Sequence, residues 1–250
     1  GKYPSPARSY VLINDGKGVF TENARKVCPD LAEAGMITDM LFMDVNNDKQ
    51  PDIIAVGEWM PIKVLLNNKG VFTDASSTYI PFASTGWWNK IQSADMDGDG
   101  DLDLLIGNCG LNTQFHVNEK EPMTITYKDF DNNGSVDPIL CYFINGVSFP
   151  AASRDDLTDQ LPLLKKKFLE YNQYANATLD DIYSAEERKD AGVLKAETME
   201  TVYLENQGAK GFVRGTLPIQ AQYAPVYGIV MEDMDKDGKK DLLLAGNNTW

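Results

Sequence analysis

The feature that most constrains this chain is an acidic window of nine residues that occurs four times. Each window places carboxylate or amide oxygens at positions 1, 3, 5 and 9, and Asp101 adds a further carboxylate inside the second window. Carboxylates packed into one short turn repel each other unless a cation lies among them. The residues that provide the oxygens are Asp44, Asn46, Asp48 and Asp52; Asp95, Asp97, Asp99 and Asp103; Asp129, Asp131, Asn133 and Asp137; and Asp233, Asp235, Asp237 and Asp241.

The spacing of these oxygens favours calcium as the cation. Several oxygen ligands in a flexible loop suit Ca²⁺ better than Mg²⁺, which keeps more of its water and takes fewer protein ligands. Glycine at position 6 permits a sharp turn in three windows, whereas the first window has Lys49 there and is expected to bind most weakly. The sequence therefore predicts three to four structural Ca²⁺ sites.

The main competing motif is the EF-hand, whose loop begins with the same pattern. An EF-hand requires a bidentate glutamate at position 12 and a helix on each side. Position 12 is apolar in every window, where the chain has Ala55, Ile106, Leu140 and Leu244. Short apolar runs rich in branched residues follow each window, and such runs are typical of buried strands. The windows are therefore predicted to connect β-strands.

A second element, a strand–turn–strand segment that reaches a phenylalanine, occurs three times and predicts β-hairpins. The three segments are Val11–Phe20, Val64–Phe72 and Tyr203–Phe212. The separation from the hairpin asparagine to the next window is nearly constant: 30 residues from Asn14 to Asp44, 28 from Asn67 to Asp95 and 27 from Asn206 to Asp233. Four short strands per repeat predict an all-β chain, a β-propeller of about four blades with calcium loops.

Two irregularities interrupt the repeat. No hairpin follows the second window, which predicts a blade with a shortened or irregular outer half within residues 108–122. After the third window, Leu161, Leu164 and Phe168 recur at helical spacing, Thr178 is a candidate helix cap, and Gly192 is a candidate helix end. The predicted domains are therefore propeller repeats at 1–152 and 201–250, with a mostly helical insertion at 153–200.

The two ends of the chain carry complementary halves of a blade. The hairpin Val11–Phe20 has no acidic window before it, and the segment Asp233–Gly246 has no hairpin after it. A propeller closes when its terminal strands share one blade, which would place the strands near Leu12 and Leu243 in the same sheet. The alternative is an open arc of a larger propeller.

Composition excludes several functions. The chain has 37 acidic and 23 basic residues, a formal charge of −14, and so it lacks the basic surface that nucleic acids and anionic membranes require. No apolar run is long enough to insert into a membrane. One histidine excludes multi-histidine zinc sites, and Cys28, Cys109 and Cys141 fit either one disulfide or free thiols. No catalytic motif is present, so no enzyme is expected; the alternative is a polysaccharide lyase or glycosidase.

Three tryptophans are candidate ligand-binding residues. Trp59 follows a predicted strand, and Trp87 and Trp88 precede the strand that leads into the second window. Tryptophans in connecting segments contact protein or sugar ligands in many binding proteins. The alternative is that they fill space between blades.

The windows that end in Asp103–Gly107 and Asp241–Gly246, together with the Phe hairpins, resemble FG-GAP (VCBS) repeats, the calcium-loop blades of integrin α-chains. With the segments 86–89, 107–112, 128–140 and 161–168, nearly the whole chain is similar to bacterial cell-envelope proteins that carry FG-GAP repeats and an ASPIC/UnbV domain. The resemblance implies an extracytoplasmic, secreted or cell-surface module for binding or adhesion to a protein or glycan. It also implies further domains in a longer parent chain.

Overall fold

The computed structural model describes residues 2–247 and shows an all-β chain with several antiparallel sheets and a few short helices. The chain divides into two compact units. The repeat unit contains residues 6–114 and the chain from 198 onwards. The insert unit contains residues 115–197 and the first few residues of the chain.

The strands are short, with two to nine residues each. They are β1 (Leu12–Asn14), β2 (Phe20–Glu22), β3 (Met36–Met43), β4 (Asp52–Met60), β5 (Lys63–Asn68), β6 (Val71–Asp74), β7 (Gly86–Trp87), β8 (Lys90–Ala94), β9 (Asp103–Gly107), β10 (Met123–Lys128), β11 (Asp137–Ile144), β12 (Val147–Pro150), β13 (Gly192–Ala196), β14 (Val202–Asn206), β15 (Phe212–Arg214), β16 (Val226–Glu232) and β17 (Asp241–Gly246). Each acidic window joins two antiparallel neighbours: β3 to β4, β8 to β9, β10 to β11 and β16 to β17. The prediction that the windows connect strands is confirmed.

The helices are all short. They are α1 (Ala24–Val27), α2 (Pro29–Ala32), α3 (Ser76–Tyr79), α4 (Arg154–Gln160), α5 (Tyr171–Tyr174) and α6 (Leu179–Ile182), with 3₁₀ turns at Pro162–Lys166, Gly208–Lys210 and Ile219–Gln222. Within residues 2–247, no helix has the length and apolar character needed to cross a membrane.

The repeat unit contains one five-stranded and one four-stranded sheet, each complete. Sheet I has the order β3-β4-β5-β6, with β7 paired to β4, and sheet II has the order β8-β9-β14-β15. Sheet II is assembled from distant parts of the chain, because Leu104 of β9 lies opposite Leu204 of β14. The expectation that residues 108–122 form a shortened or irregular outer half is therefore wrong: the hairpin of β14 and β15, which follows the insert unit in the chain, supplies the outer half of this sheet.

Both sheets are buried on both faces, which explains their uniformly apolar central strands. One face of sheet I, with Ile54 and Val56, shares a core with Ile106 and Leu204 of sheet II. The other face of sheet I packs against α1 and α2 and their flanking residues, including Val11. The other face of sheet II, through Leu105, packs against the hairpin of β16 and β17. The sheets are thus stacked face to face, as in a propeller-like fold.

The terminal hairpins do not share a sheet. Strands β1 and β2 form one two-stranded sheet, and β16 and β17 form another. The closed four-blade ring is therefore wrong, and the repeat unit is an open arc over the described residues. The physical reason is that the third acidic window lies in the insert unit, so the repeat unit holds two complete sheets and two halves, fewer than the four blades of the smallest propellers.

The insert unit is built on a sheet of order β12-β11-β10-β13. Its core joins Ile139 and Cys141 of this sheet to Leu157 and Leu161 of the helical segment. Because the helices cover the strands next to the third window, the helical segment and that window belong to the same compact unit. The predicted domain boundary at residue 153 lies inside this unit.

In the helical segment, the predicted helix cap at Thr178 is confirmed, and the predicted helix end at Gly192 is wrong. Thr178 begins α6 in a capping box, in which its backbone N–H donates to Asp181 Oδ2 at 2.8 Å. Gly192 does not end a helix, because residues 185–190 form turns and Gly192 begins β13. All three cysteines are free thiols, and Cys28 and Cys141 are buried.

Candidate metal centres

The four acidic windows fold into the same hydrogen-bonded loop. In the second window, Gly100 N–H donates to Asp95 Oδ2 at 3.1 Å, and Asp99 N–H donates to Asp97 Oδ1 at 3.1 Å. Asp101 N–H donates to Asp99 Oδ1 at 2.9 Å. The equivalent bonds, from positions 6, 5 and 7 to positions 1, 3 and 5, are present in the other three windows. The main chain therefore orients the side chains at positions 1, 3 and 5 in the same way in all four windows.

Three windows bring their carboxylate oxygens within 4.8 Å of one another. These groups are Asp95, Asp97 and Asp99; Asp129, Asp131 and Asp137; and Asp233, Asp235 and Asp237. The donors are all oxygen, which fits a hard cation such as Ca²⁺. Among the described residues the first window forms no such carboxylate group, and its position 3 carries the amide oxygen of Asn46.

Lys49 adopts the backbone conformation that glycine holds in the other windows. Its φ is 67°, and the equivalent Gly100, Gly134 and Gly238 have φ of 97°, 87° and 90°. A residue with a Cβ in this left-handed region is disfavoured by roughly 1 kcal/mol or more. The first loop therefore has the same geometry as the others, but under backbone strain.

Replacing Lys49 with glycine is expected to stabilise the first loop, because the strain disappears while the hydrogen bond from residue 49 N–H to Asp44 Oδ2 stays. We expect a gain of about 1 kcal/mol in the free energy of unfolding, measured by urea denaturation. Gly100→Ala in the second loop is the matched control and should destabilise by a similar amount. A loss of stability in Lys49→Gly would contradict the strain argument.

The ninth aspartate has a structural role that the sequence pattern did not reveal. Asp103 is 1% exposed, and its Oδ2 accepts from Met96 N–H at 3.1 Å and from Tyr203 Oη at 3.0 Å. Its Oδ1 accepts from Asn206 N–H, the hairpin asparagine, at 2.9 Å. In sheet I, Asp52 Oδ1 likewise accepts from Asn67 N–H at 2.7 Å. In sheets I and II this aspartate therefore ties the loop to the outer hairpin.

Burial raises the pKa of several loop carboxyl groups. Burial is the main cause for Asp52 and Asp137, and neighbouring loop aspartates add to it. Burial, followed by the charges of neighbouring aspartates, raises the pKa of Asp101 to about 6. Asp101 Oδ1 is buried and has no hydrogen-bond partner among the described residues. Each of these observations fits a loop whose charge a cation would neutralise.

The three candidate tryptophans lie in different surroundings. Trp88 is fully buried, and its Nε1 donates to the carbonyl of Ser84 at 2.9 Å, so it fills space in the core. Trp59 is 5% exposed and has φ of 59°, at an irregularity where β4 pairs with β7. Trp87 is half-buried, and its ring lies 5.3 Å from that of Trp59. Of the three, Trp87 presents the most surface.

We group three further residues with the pair of Trp59 and Trp87, namely Glu58, Cys109 and Tyr227. No sequence motif identified them. Glu58 lies opposite Trp87 in the sheet. Burial and then the charge of Glu58 raise the pKa of Cys109 to about 12. Burial, Cys109 and Glu58 raise the pKa of Tyr227, which is 57% exposed. We call Glu58, Trp59, Trp87, Cys109 and Tyr227 the aromatic–acid patch; it draws on β4, β7, β16 and the residues after β9, which only tertiary structure brings together.

Comparison with known proteins gives one match. Residues 44–106 match the FG-GAP-like repeat family. The matched range begins at the first residue of the first window and ends within β9, so it includes two acidic windows and the hairpin between them. The chain therefore contains an FG-GAP-like repeat. No curated protein and no solved structure matches the chain.

Proposed function

We propose that this chain is a calcium-binding β-propeller arc that acts outside the cytoplasm as a binding or adhesion module for a protein or glycan. The observation that carries the proposal is the set of four loops with the same hydrogen bonding and oxygen-only donors. The FG-GAP-like repeat supports it, because such repeats are typical of extracellular propeller modules.

Calcium is proposed to bind at positions 1, 3, 5 and 9 of each window, and its charge would offset the repulsion among the carboxylates. Each window connects two neighbouring strands, so an ion held there would fix the turn that joins them. Extracellular calcium modules bind the ion at roughly 10⁻⁴–10⁻³ M. Such affinities suit a location outside the cytoplasm, at the cell surface or in secreted form.

The aromatic–acid patch is the proposed ligand surface. Trp87 and Tyr227 offer aromatic faces for a sugar ring or an apolar side chain, and Glu58 is a candidate acceptor for ligand hydroxyl or N–H groups. The left-handed backbone of Trp59 supports this placement, because such strain is often found at binding sites.

We propose no catalytic residue. The close carboxylate groups found among the described residues are those of the acidic windows, and the backbone hydrogen bonds that orient them support a role in ion binding. That the protein is not an enzyme stays a prediction, and the binding experiment includes a test for turnover.

The proposal is tested by screening the calcium-loaded chain on a glycan array and against cell-surface protein extracts. The double variant Trp87→Ala, Tyr227→Ala is expected to lose at least tenfold in affinity for any ligand found. Tyr10→Ala, which removes another exposed aromatic ring, is the matched control and should bind normally. Unchanged binding by the double variant would contradict the patch, and new reducing ends or unsaturated sugars would contradict the non-enzymatic function.

A further inference from the structure

The two terminal hairpins are complementary halves of one sheet. In sheets I and II, the strand after the acidic window, β4 or β9, pairs on its other side with the outer hairpin. Over the described residues, β17 follows a window but pairs with β16 alone, and β1 pairs with β2 alone. Within residues 2–247, the β16–β17 hairpin therefore has no outer half and the β1–β2 hairpin has no inner half.

Hydrogen bonds show that the β1–β2 hairpin is equivalent to the outer hairpins of the complete sheets. Asn23 N–H donates to the carbonyl of Val11 at 2.9 Å, just as Ala75 N–H donates to the carbonyl of Val64 at 2.9 Å. Val11 therefore corresponds to Val64. By the same alignment Leu12 corresponds to Leu65 and Leu204, and Asn14 corresponds to Asn67 and Asn206.

Among the described residues, one hydrogen bond that is present in both complete sheets is missing from the terminal hairpins, because its acceptor lies on one hairpin and its donor on the other. In sheets I and II the ninth aspartate accepts a bond from the backbone of the hairpin asparagine. Asp241, the ninth residue of the fourth window, accepts from Met234 N–H at 2.8 Å as its equivalents do, but within residues 2–247 no hairpin asparagine donates to it. Asn14 is the equivalent hairpin asparagine of the β1–β2 hairpin, and within residues 2–247 its backbone N–H has no ninth aspartate as acceptor.

The equivalences define how the two hairpins would pair. Ile53 lies opposite Leu65 in sheet I, and Leu104 lies opposite Leu204 in sheet II. The same register places Leu242 opposite Leu12. The carbonyl of Val11 and the N–H of Asp15 bond towards β2, so the backbone groups of Leu12 face the open edge by strand alternation.

Exposed apolar side chains on both hairpins would be covered by this pairing. Leu12 is 57% exposed and Leu243 is 55% exposed. In this register Leu243 lies opposite Val11, whose face already packs against sheet I. Leu12 lies on the same face as Leu242, which packs against sheet II. Pairing would therefore extend two existing cores.

Charge is also complementary at the junction. In sheet I the seventh residue of the window reaches the hairpin turn, because Gln50 Oε1 accepts from Lys69 N–H at 2.8 Å. The seventh residue of the fourth window is Lys239, and the turn of the β1–β2 hairpin carries Asp15 and Lys17. Lys240 pairs with Glu232 of its own hairpin at 3.2 Å, so the opposite charges that would lie close together are those of Lys239 and Asp15.

We propose that a second copy of this chain supplies the missing half: the β1–β2 hairpin of one copy adds to the open edge of β17 in another, with Leu242 opposite Leu12. Within one chain, sheets I and II lie between the two terminal hairpins, which do not pair with each other. The partner proposed for each open edge is therefore a second copy. Reciprocal exchange between two copies pairs both open edges and joins four complete sheets and two shared sheets, six in all, within the usual range of roughly 4–8 blades.

The oligomeric state tests the proposal. Size-exclusion chromatography with light scattering is expected to show a dimer of two 27.8-kDa chains that dissociates on dilution. Leu12→Pro removes the N–H that faces the open edge and should give a monomer with an unchanged circular dichroism spectrum. Phe20→Pro, on the other edge of the hairpin, is the control and should stay dimeric. A wild-type monomer at all concentrations would overturn the proposal.

Cysteine cross-linking tests the register between copies, in a Cys109→Ser background. A Leu12→Cys chain mixed with a Leu242→Cys chain should form a disulfide-linked heterodimer, and mixing with Leu244→Cys should give at least fivefold less. A cross-link that forms within one monomer carrying both Leu12→Cys and Leu242→Cys, with no heterodimer in the mixture, would show pairing in the same chain and would overturn the proposal.

Discussion

Removing calcium with EDTA is expected to lower the melting temperature of the repeat unit by roughly 10–20 °C. An ion at 100 times its dissociation constant stabilises the folded state by about 2.7 kcal/mol per site. The two glycine-containing windows of the repeat unit, at Asp95 and Asp233, would together contribute about 5 kcal/mol. For a unit of this size, each kcal/mol corresponds to about 2–4 °C.

Scanning calorimetry of the chain with calcium, with EDTA, and with magnesium in place of calcium measures this effect. Magnesium should restore little of the lost stability, because it keeps more of its own water and demands a stricter geometry than these loops offer. Filling all four windows would change the formal net charge from −14 to −6, so part of the loss should also disappear in high salt. Identical melting curves with and without EDTA would show that the loops bind no ion.

Asp103→Ala is expected to be the most damaging single substitution in the loops, with a loss of about 3–5 kcal/mol in the free energy of unfolding. The carboxylate is buried, and its removal leaves Met96 N–H, Asn206 N–H and Tyr203 Oη without their acceptor. The second acidic loop would lose its connection to the outer hairpin of sheet II. Urea unfolding in saturating calcium measures the loss.

Asp241→Ala is the matched control, because it removes the equivalent ninth carboxylate at a loop to which no outer hairpin is attached within residues 2–247. Both variants are measured in the Leu12→Pro background, which keeps the edge of β17 open. Asp241 is only half-buried and accepts one bond from the loop, so its loss should cost about 1 kcal/mol. Equal losses in the two variants would show that the bond from Asn206 to Asp103 contributes nothing.

Local features of this protein were predictable from sequence because short-range rules determine them. The acidic windows follow from oxygen spacing and glycine placement, and the three hairpins follow from turn residues between apolar runs. The strand character of β4 and β9 follows from continuous apolar runs, which the structure shows to be buried on both faces. The cap at Thr178 follows from the preference of short polar residues for helix starts.

The pairing of strands from distant parts of the chain was not predictable in the same way. The spacing from Asn206 to Asp233 matched the other repeats, but nothing local shows that the hairpin after residue 200 belongs with β9 rather than with the third window. The same limit affected the aromatic–acid patch, whose members come from distant parts of the chain. Cross-strand pairs such as Leu104 with Leu204 are chemically interchangeable with many other apolar pairs, so their choice carries no sequence signature.

The sequence alone determined the loops, the hairpins, the all-β character and the position of a helical segment, because each depends on residues only a few positions apart. The tertiary structure decided that the third window lies in a separate compact unit, that β14 and β15 complete sheet II, and that the terminal hairpins of one chain stay apart. The physical reason is that an apolar strand edge accepts any partner of matching register. The packing of the whole chain decides which strand pairs with that edge, and the local sequence pattern does not determine this packing.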